Sequence, residues 1–260
     1  MPLKMTSIKY FLVLVTALFL FNSCATKKEI LYFQDAAQYN NTPISYVKPI
    51  LQPNDILKIT VSALLEETAK PYNRITSGSS GGVGSDLIKL DGYLVSDQHT
   101  ISFPQLGILS TADKTTRQLE VEITQLLVDG GHLKNPTVNV RLLNPKVTVL
   151  GEVGSPGTFS FTEESITLLQ ALGMAGDLTI NGRREDILLI RETDGVYKTT
   201  TIDVTSADLL TSPYYFIKPN DVLIVNPNGP KIKSSGFISN LGSLISVISI
   251  VLSTVILITR

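Results

Sequence analysis

Tryptophan is absent from the 260 residues, cysteine occurs once and histidine twice. Cys24 by itself can form no intramolecular disulfide, and Cys24, His99 and His132 are too few to assemble a Cys/His zinc site. An excess of charge of one sign is lacking as well. The 22 basic side chains are matched by 23 acidic ones, which leaves no surplus of cations to track a phosphate backbone and excludes nucleic acid as a partner class. The Gly/Ser-rich stretch 77–85 is not followed by Gly-Lys-Ser/Thr, so it is a loop by composition and not a phosphate cradle. No cofactor and no metal is expected.

What is present divides into apolar ends and an ordinary polar middle. Lys4 and Lys9 precede the apolar run 10–21, the charged and hydrophobic regions of a secretory leader, and the run is too short to span a bilayer comfortably. It stops at Phe21-Asn22-Ser23-Cys24, where a small residue directly before a lone cysteine resembles the lipobox of bacterial lipoproteins. That resemblance implies removal of residues 1–23 and lipidation of Cys24. No Asp follows Cys24, so by similarity to sorted lipoproteins the expected destination is the outer membrane, with the bulk of the chain in the periplasm. Residues 24–50 show little periodicity, and Thr42-Pro43 and Lys48-Pro49 disfavour helix, which predicts an extended tether.

The middle reads as α+β in two units, 51–144 and 145–228. Pro53-Asn54-Asp55 launches a strand at 56–61 with β-branched residues suited to a pleated surface. Residues 93–95 and 100–103 flank Ser96-Asp97-Gln98-His99 and are expected to form a hairpin, with His99 in its turn. Thr115 and Gln118 form a capping box for a helix whose apolar face is Leu119, Ile123, Leu126 and Leu127, ending at Asp129-Gly130-Gly131. A strand from Thr137 to Leu143 closes the unit. Past Asn144-Pro145, strands are expected near 147–153, 158–161, 187–192, 196–203 and 222–226. They surround a short helix capped by Thr167 and Gln170 and closed by Gly176. A small mixed sheet around one helix is a β-grasp pattern. Pro219-Asn220-Asp221 near its end echoes Pro53-Asn54-Asp55.

Several of these segments resemble the outer-membrane polysaccharide export lipoproteins of capsule and exopolysaccharide systems. Pro53-Asn54-Asp55-Ile56-Leu57 is similar to that family's opening turn and strand, and residues 100–107 to its hairpin. Asn135-Pro136-Thr137-Val138-Asn139-Val140, Gly151-Glu152-Val153-Gly154-Ser155-Pro156-Gly157 and Ala171-Leu172-Gly173-Met174-Ala175-Gly176-Asp177 follow in the family's order. The departures are Asn54 and Asn220, where glycine is usual, and Gln98-His99 in the hairpin. Asparagine tolerates the left-handed backbone region that glycine would occupy. The resemblance implies an export domain followed by one soluble-ligand-binding β-grasp domain. Pro53, Asp55, Gly151, Pro156, Gly157, Pro219 and Asp221 become structural turn residues in that reading.

At the C-terminal end, residues 237–258 are 22 positions without a charge, and at ~1.5 Å per residue a helix of that length spans about a bilayer core. A transmembrane helix is therefore expected within 229–260. Ser235, Ser239, Ser243, Ser246, Ser249 and Ser253 fall at steps of three or four on one side of it. In a ring of helices that side would line a wet lumen, making Ser239, Ser243, Ser246 and Ser253 pore-lining candidates; the bland alternatives are small-residue packing and hydroxyls bonded to their own helix.

The function expected from the resemblance is a homo-oligomeric channel, not an enzyme, that exports capsular or extracellular polysaccharide. Its partners would be further copies of itself, an inner-membrane polysaccharide co-polymerase and the polymer. Paired carboxylates for glycan cleavage have weak candidates in Glu66-Glu67, Glu163-Glu164 and Glu185, which read as solvated faces. The remaining alternative is a lipid-tethered periplasmic module that binds a ligand or partner.

Overall fold

The computed structural model describes residues 30–39, 43–44, 46, 48–74, 89–193 and 195–234, with residues 242, 245, 246, 249, 250, 253, 254 and 257 of the C-terminal segment. Cys24, Ser239, Ser243 and the Gly/Ser-rich stretch lie outside these residues.

In the first unit, strand β1 (Ile56–Ser62) is central in a three-stranded antiparallel sheet of order β2-β1-β5, with β2 (Tyr93–Leu94) and β5 (Thr137–Leu142) at its edges. Alternation decides the faces. Leu57, Ile59 and Val61 point inward with Val138 and Val140, while Lys58, Thr60 and Ser62 point out with Asn139 and Arg141. A one-turn helix α1 (Glu66–Ala69) follows β1. Helix α2 (Thr116–Asp129) buries Leu119, Ile123 and Leu127 in the same apolar cluster as the inward strand residues, and Leu126, expected on this face, is exposed. Thr115 and Gln118 make the capping box reciprocally, and Gly131 beyond the helix end takes φ +70.

The hairpin lies one strand later than the sequence suggests. Strand β3 (Thr100–Phe103) pairs with β4 (Gly107–Ser110), in register Thr100↔Ser110 to Phe103↔Gly107, and β2 pairs with β1 instead. Ser96–His99 is still a tight turn, closed by the Ser96 N–H on the Thr100 carbonyl at 2.9 Å. Only two ladder residues of β2 are available, and they satisfy the edge of β1 at Ile56 and Leu57.

The second unit carries a five-stranded sheet made of two hairpins and a central strand. Strands β6 (Lys146–Gly151) and β7 (Gly157–Ser160) form one hairpin, and β9 (Gly182–Thr193) and β10 (Val196–Ile202) the other. The last strand, β12 (Val222–Pro227), runs between them, parallel to β6 and antiparallel to β9. Helix α3 (Leu168–Met174) is capped by Thr167 and Gln170 and drives Leu168, Ala171 and Leu172 into a core with Val147, Val149, Ile187, Leu189, Leu223 and Val225. One mixed sheet wrapped on one helix is the β-grasp arrangement. A two-stranded ribbon of β8 (Ile166–Thr167) and β11 (Phe216–Ile217), which the sequence reading misses, closes the helix end. Helix α4 (Gly229–Ser234) follows β12 directly.

The expected tether does more than lead into the first unit. Tyr32 and Phe33 pack against the second unit's core, with the Phe33 and Gln34 N–H groups donating to the Val204 and Thr205 carbonyls at 3.1 and 2.8 Å. The Asp35 carboxylate accepts from the Ala207 N–H at 2.6 Å, which holds its carboxyl below the ordinary value, and the Tyr32 hydroxyl bonds Asp177. Residues 32–35 are therefore a strap across the second unit.

Candidate functional site

The two Pro-Asn-Asp turns border one cleft where the units meet, and each is built by the same local bonds. Asn54 and Asn220 take φ 70 and 68, the left-handed region where asparagine substitutes for glycine. The Asp55 carboxylate accepts the Gln52 N–H at 2.9 Å while the Asp55 N–H donates back to the Gln52 carbonyl at 3.1 Å. Asp221 and Lys218 repeat this at 2.8 and 3.2 Å. Both turns also grip a neighbouring strand. The Asn54 N–H donates to Val95 and the Val95 N–H to Asp55, at 3.0 and 2.8 Å; the Asn220 N–H donates to Lys146 and the Thr148 N–H to Asp221, at 2.7 and 3.0 Å.

Asn144, at the boundary expected from Asn144-Pro145, locks the first turn in place. Its side-chain oxygen accepts the Ile56 N–H at 2.8 Å and its amide donates to the Asn54 carbonyl at 2.9 Å. Between the units lies a cleft of about 310 Å³ bordered by Asp55, Glu120, Arg141, Glu163, Glu164 and Pro219, so a residue of each turn faces it. Lys48 bridges to Glu164 at 3.6 Å, Ser165 donates to the Tyr46 hydroxyl at 2.9 Å, and the Tyr46 ring meets Phe216 edge-on at 5.1 Å.

The electrostatics of the two aspartates differ. Asp221 is 1 % exposed and takes a bidentate bond from Arg191, Nε to Oδ1 at 2.9 Å and Nη2 to Oδ2 at 2.6 Å; Nη2 also reaches the Phe216 carbonyl at 3.0 Å. Burial pushes its carboxyl above the ordinary value and Arg191 pulls it back down. Asp55 is 4 % exposed and makes no ion pair among the described residues; burial pushes its carboxyl up to about 6, against the bond from the Gln52 N–H. Sequence reasoning placed both aspartates in turns but missed Arg191. The signal was available in its phase, because Arg191 follows the inward Ile187 and Leu189 at the same two-residue step along β9.

The other turn residues are structural in their surroundings. Gly151 has φ +89 and pairs with Val225, whose carbonyl oxygen would stand 2.1 Å from a Cβ there. Pro156 directly precedes β7 and Gly157 is its first residue, paired with Val149. His99 takes φ 53, which keeps the left-handed backbone that glycine would supply, and its Nδ1 is buried without a partner among the described residues. Of the carboxylate pairs, Glu66 and Glu67 open helix α1, where Glu67 meets Lys70; Glu163 and Glu164 border the cleft and Glu185 is exposed on β9. Among the described residues no cluster of three or more His, Cys, Asp and Glu side chains could hold a metal ion.

In the C-terminal segment, residues 242, 245, 246, 249, 250, 253, 254 and 257 are helical and exposed. Ser246 donates to the Gly242 carbonyl and Ser253 to the Ser249 carbonyl, each at 2.8 Å, and Thr254 does the same to Ile250. Among the described residues no helix is long and apolar enough to cross a membrane. The expected span at 237–258 falls largely outside those residues.

Residues 46–143 match the family model described as polysaccharide biosynthesis/export protein, and residues 146–198 match the SLBB domain. The chain is similar to the EPS I polysaccharide export outer membrane protein EpsA of Ralstonia solanacearum, 35% identical over 92 residues, or 34% of this chain and 24% of that protein. It is likewise similar to the EpsA protein of Ralstonia nicotianae, 36% identical over 117 residues, or 44% of this chain and 29% of that protein. The matched region thus spans roughly a quarter of the length of these relatives.

Proposed function

From the premise that this chain belongs to the polysaccharide export protein family, we propose that it is an outer-membrane lipoprotein whose copies close into a channel for capsular or extracellular polysaccharide. The observation that carries this reading is the placement of the two segments that would meet the membrane. The strap at 32–35, eight residues after Cys24 at its start, lies on the second unit, and α4 leaves the same unit toward residues 237–258. A lipid at Cys24 and a helix at 237–258 would then hold that unit against the outer membrane, while the first unit projects into the periplasm toward an inner-membrane co-polymerase. The domains are read as leader 1–23, tether 24–50, export domain 51–144, β-grasp domain 145–228 and spanning helix 229–260.

Ser239, Ser243, Ser246 and Ser253 line the conduit in this reading. A hydroxyl that donates to its own helix, as Ser246 and Ser253 do, keeps acceptor lone pairs for water or sugar and adds no charge. The same bonds suit the plainer alternative of helices packed through small residues.

The test is gentle detergent extraction followed by mass photometry, with surface polysaccharide measured in parallel. Closed rings in the wild type, unlipidated protein in Cys24→Ser and loss of surface polymer on deleting 236–260 are the expected results. Only subunit-mass species, or unchanged export without 236–260, would remove the channel. Cysteine scanning separates the serine face: Ser246→Cys should label with an impermeant reagent where Ile248→Cys and Val255→Cys do not.

A further inference from the structure

We propose that the outward face of the β2-β1-β5 sheet is a contact surface for an acidic polysaccharide, with Lys58 and Arg141 receiving its carboxylates. The inference rests on the export reading for its setting and adds the class of polymer.

Lys58 and Arg141 are register partners on adjacent strands, both exposed. Like charges directly opposite on a sheet face repel across a Cβ separation of roughly 5 Å, and such a pair is normally relieved by a carboxylate. Here no carboxylate among the described residues forms an ion pair with either. Among the described residues neither side chain makes an ion pair or hydrogen bond, whereas Lys70, Lys114 and Arg117 of the same unit are all paired, with Glu67, Glu122 and Glu120. Glu120, which touches β5 at Asn139, is turned to the Val140 N–H at 2.9 Å and to Arg117 at 3.0 Å. Among the described residues the protein thus keeps two adjacent cations outside any ion pair, with Arg141 also bordering the cleft lined by Glu120, Glu163 and Glu164, and an incoming anion converts their repulsion from a cost into a binding site.

The surroundings select the kind of anion. Continuing along the two strands, the outward pairs are Thr60↔Asn139 and Ser62↔Thr137, neutral hydroxyl and amide groups that donate and accept as sugar hydroxyls do. Outward positions 58–62 and 137–141 carry no large apolar side chain, and the exposed Leu94 of β2, paired with Ile56, lies beyond the cation end of this strip. Lys58 and Thr60 also border a depression of about 260 Å³ with Arg74; Asp91 is the single carboxylate lining it. A flat polar strip with cations at one end fits an extended chain of sugars bearing uronate carboxylates.

The full-length protein in mild detergent is titrated calorimetrically with oligogalacturonate, with neutral dextran oligomers of equal length, and with poly-L-glutamate of equal charge. Oligogalacturonate should bind and weaken with added salt. Lys58→Gln/Arg141→Gln should weaken that binding tenfold or more. Lys58→Glu should abolish it while raising Tm, because it forms an ion pair with Arg141; loss of binding with gain of stability cannot come from misfolding. Equal oligogalacturonate binding by wild type and Lys58→Gln/Arg141→Gln overturns the proposal, as does absence of binding by the wild type. Dextran or poly-L-glutamate bound as tightly as oligogalacturonate overturns it too, the latter pointing to an acidic protein instead. Closed rings that bind no oligogalacturonate remove this surface and leave the channel standing, while monomers that bind it remove the channel and leave the surface.

Discussion

The Pro-Asn-Asp turn at the start of the first unit and its counterpart near the end of the second share backbone angle, carboxylate bond and strand contacts, yet among the described residues only the second forms an ion pair. Asn54 and Asn220 differ by 2° in φ, and the aspartate bonds to Gln52 and Lys218 by 0.1 Å. Arg191 closes on Asp221 from both oxygens, and nothing equivalent approaches Asp55. Shape in this motif is therefore set by the asparagine and by the aspartate's bond to the amide three residues back. Charge is handled separately, by an arginine in one unit and by a raised proton affinity in the other.

The comparison is broken most severely by removing the arginine. Arg191→Ala leaves the Asp221 carboxylate buried and unpaired, for which a cost of about 3–5 kcal/mol is expected. It also takes a donor from the Phe216 carbonyl and removes the guanidinium over the Tyr214 ring. Urea denaturation of the detergent-solubilised protein should show the midpoint falling sharply. A loss under about 1 kcal/mol would mean that Asp221 has no need of its partner, and that the two turns are equivalent after all.

Exchanging each aspartate for asparagine sharpens the contrast, because the two substitutions should move stability in opposite directions at pH 7.5. Asp221→Asn strands Arg191 in a buried site and should cost about 3 kcal/mol. Asp55→Asn keeps an oxygen for the Gln52 N–H and removes an uncompensated charge, so a gain of about 1–2 kcal/mol is expected. Equal losses in both variants would refute the difference.

That gain should depend on pH with a definite sign. The Asp55 carboxyl is raised from 3.8 to about 6, so between those values the folded chain holds a proton that the unfolded chain has released. Its contribution to stability is present below about pH 4 and is lost as pH rises through about 6, by up to roughly 3 kcal/mol. Subtracting the stability curve of Asp55→Asn from that of the wild type isolates this change, and a flat difference between pH 4 and 7 would show that Asp55 titrates normally.

Much of this was legible in the sequence where the determinant is local. The capping boxes at Thr115 and Thr167 and the left-handed asparagines depend on bonds within a few residues, and they stand where the residue types place them. The β3–β4 hairpin was not, since Gly107–Ser110 has one buried residue, Leu109, and too little alternation to announce a strand. The strap was hidden for a different reason: Tyr32 and Phe33 gain their meaning from Asp177 and Val204, well over a hundred residues away. Arg191 and Asp221 are separated by 30 positions, and the strand phase that aims the arginine inward does not identify the acid it meets.

The smallest expected effect tests the part of the comparison that holds the turns alike. Asn54→Gly and Asn220→Gly each restore the residue to which a left-handed angle costs least, relieving strain that for an ordinary side chain is about 1–2 kcal/mol and for asparagine is less. Against this, glycine loses more conformational freedom on folding, by roughly 0.5–1 kcal/mol relative to alanine. The two terms oppose, so each substitution should change stability by only a few tenths of a kcal/mol, and by the same amount in both turns. Asn54→Ala and Asn220→Ala, which keep a Cβ but lose the amide, should each cost about 1 kcal/mol. Measured by urea titration of the four variants, matched pairs mean that the backbone of the motif is one solution used twice. If Asn220→Ala proves far costlier than Asn54→Ala, the angle at Asn220 is coupled to the Arg191–Asp221 bond, and shape and charge are not separable in the second unit.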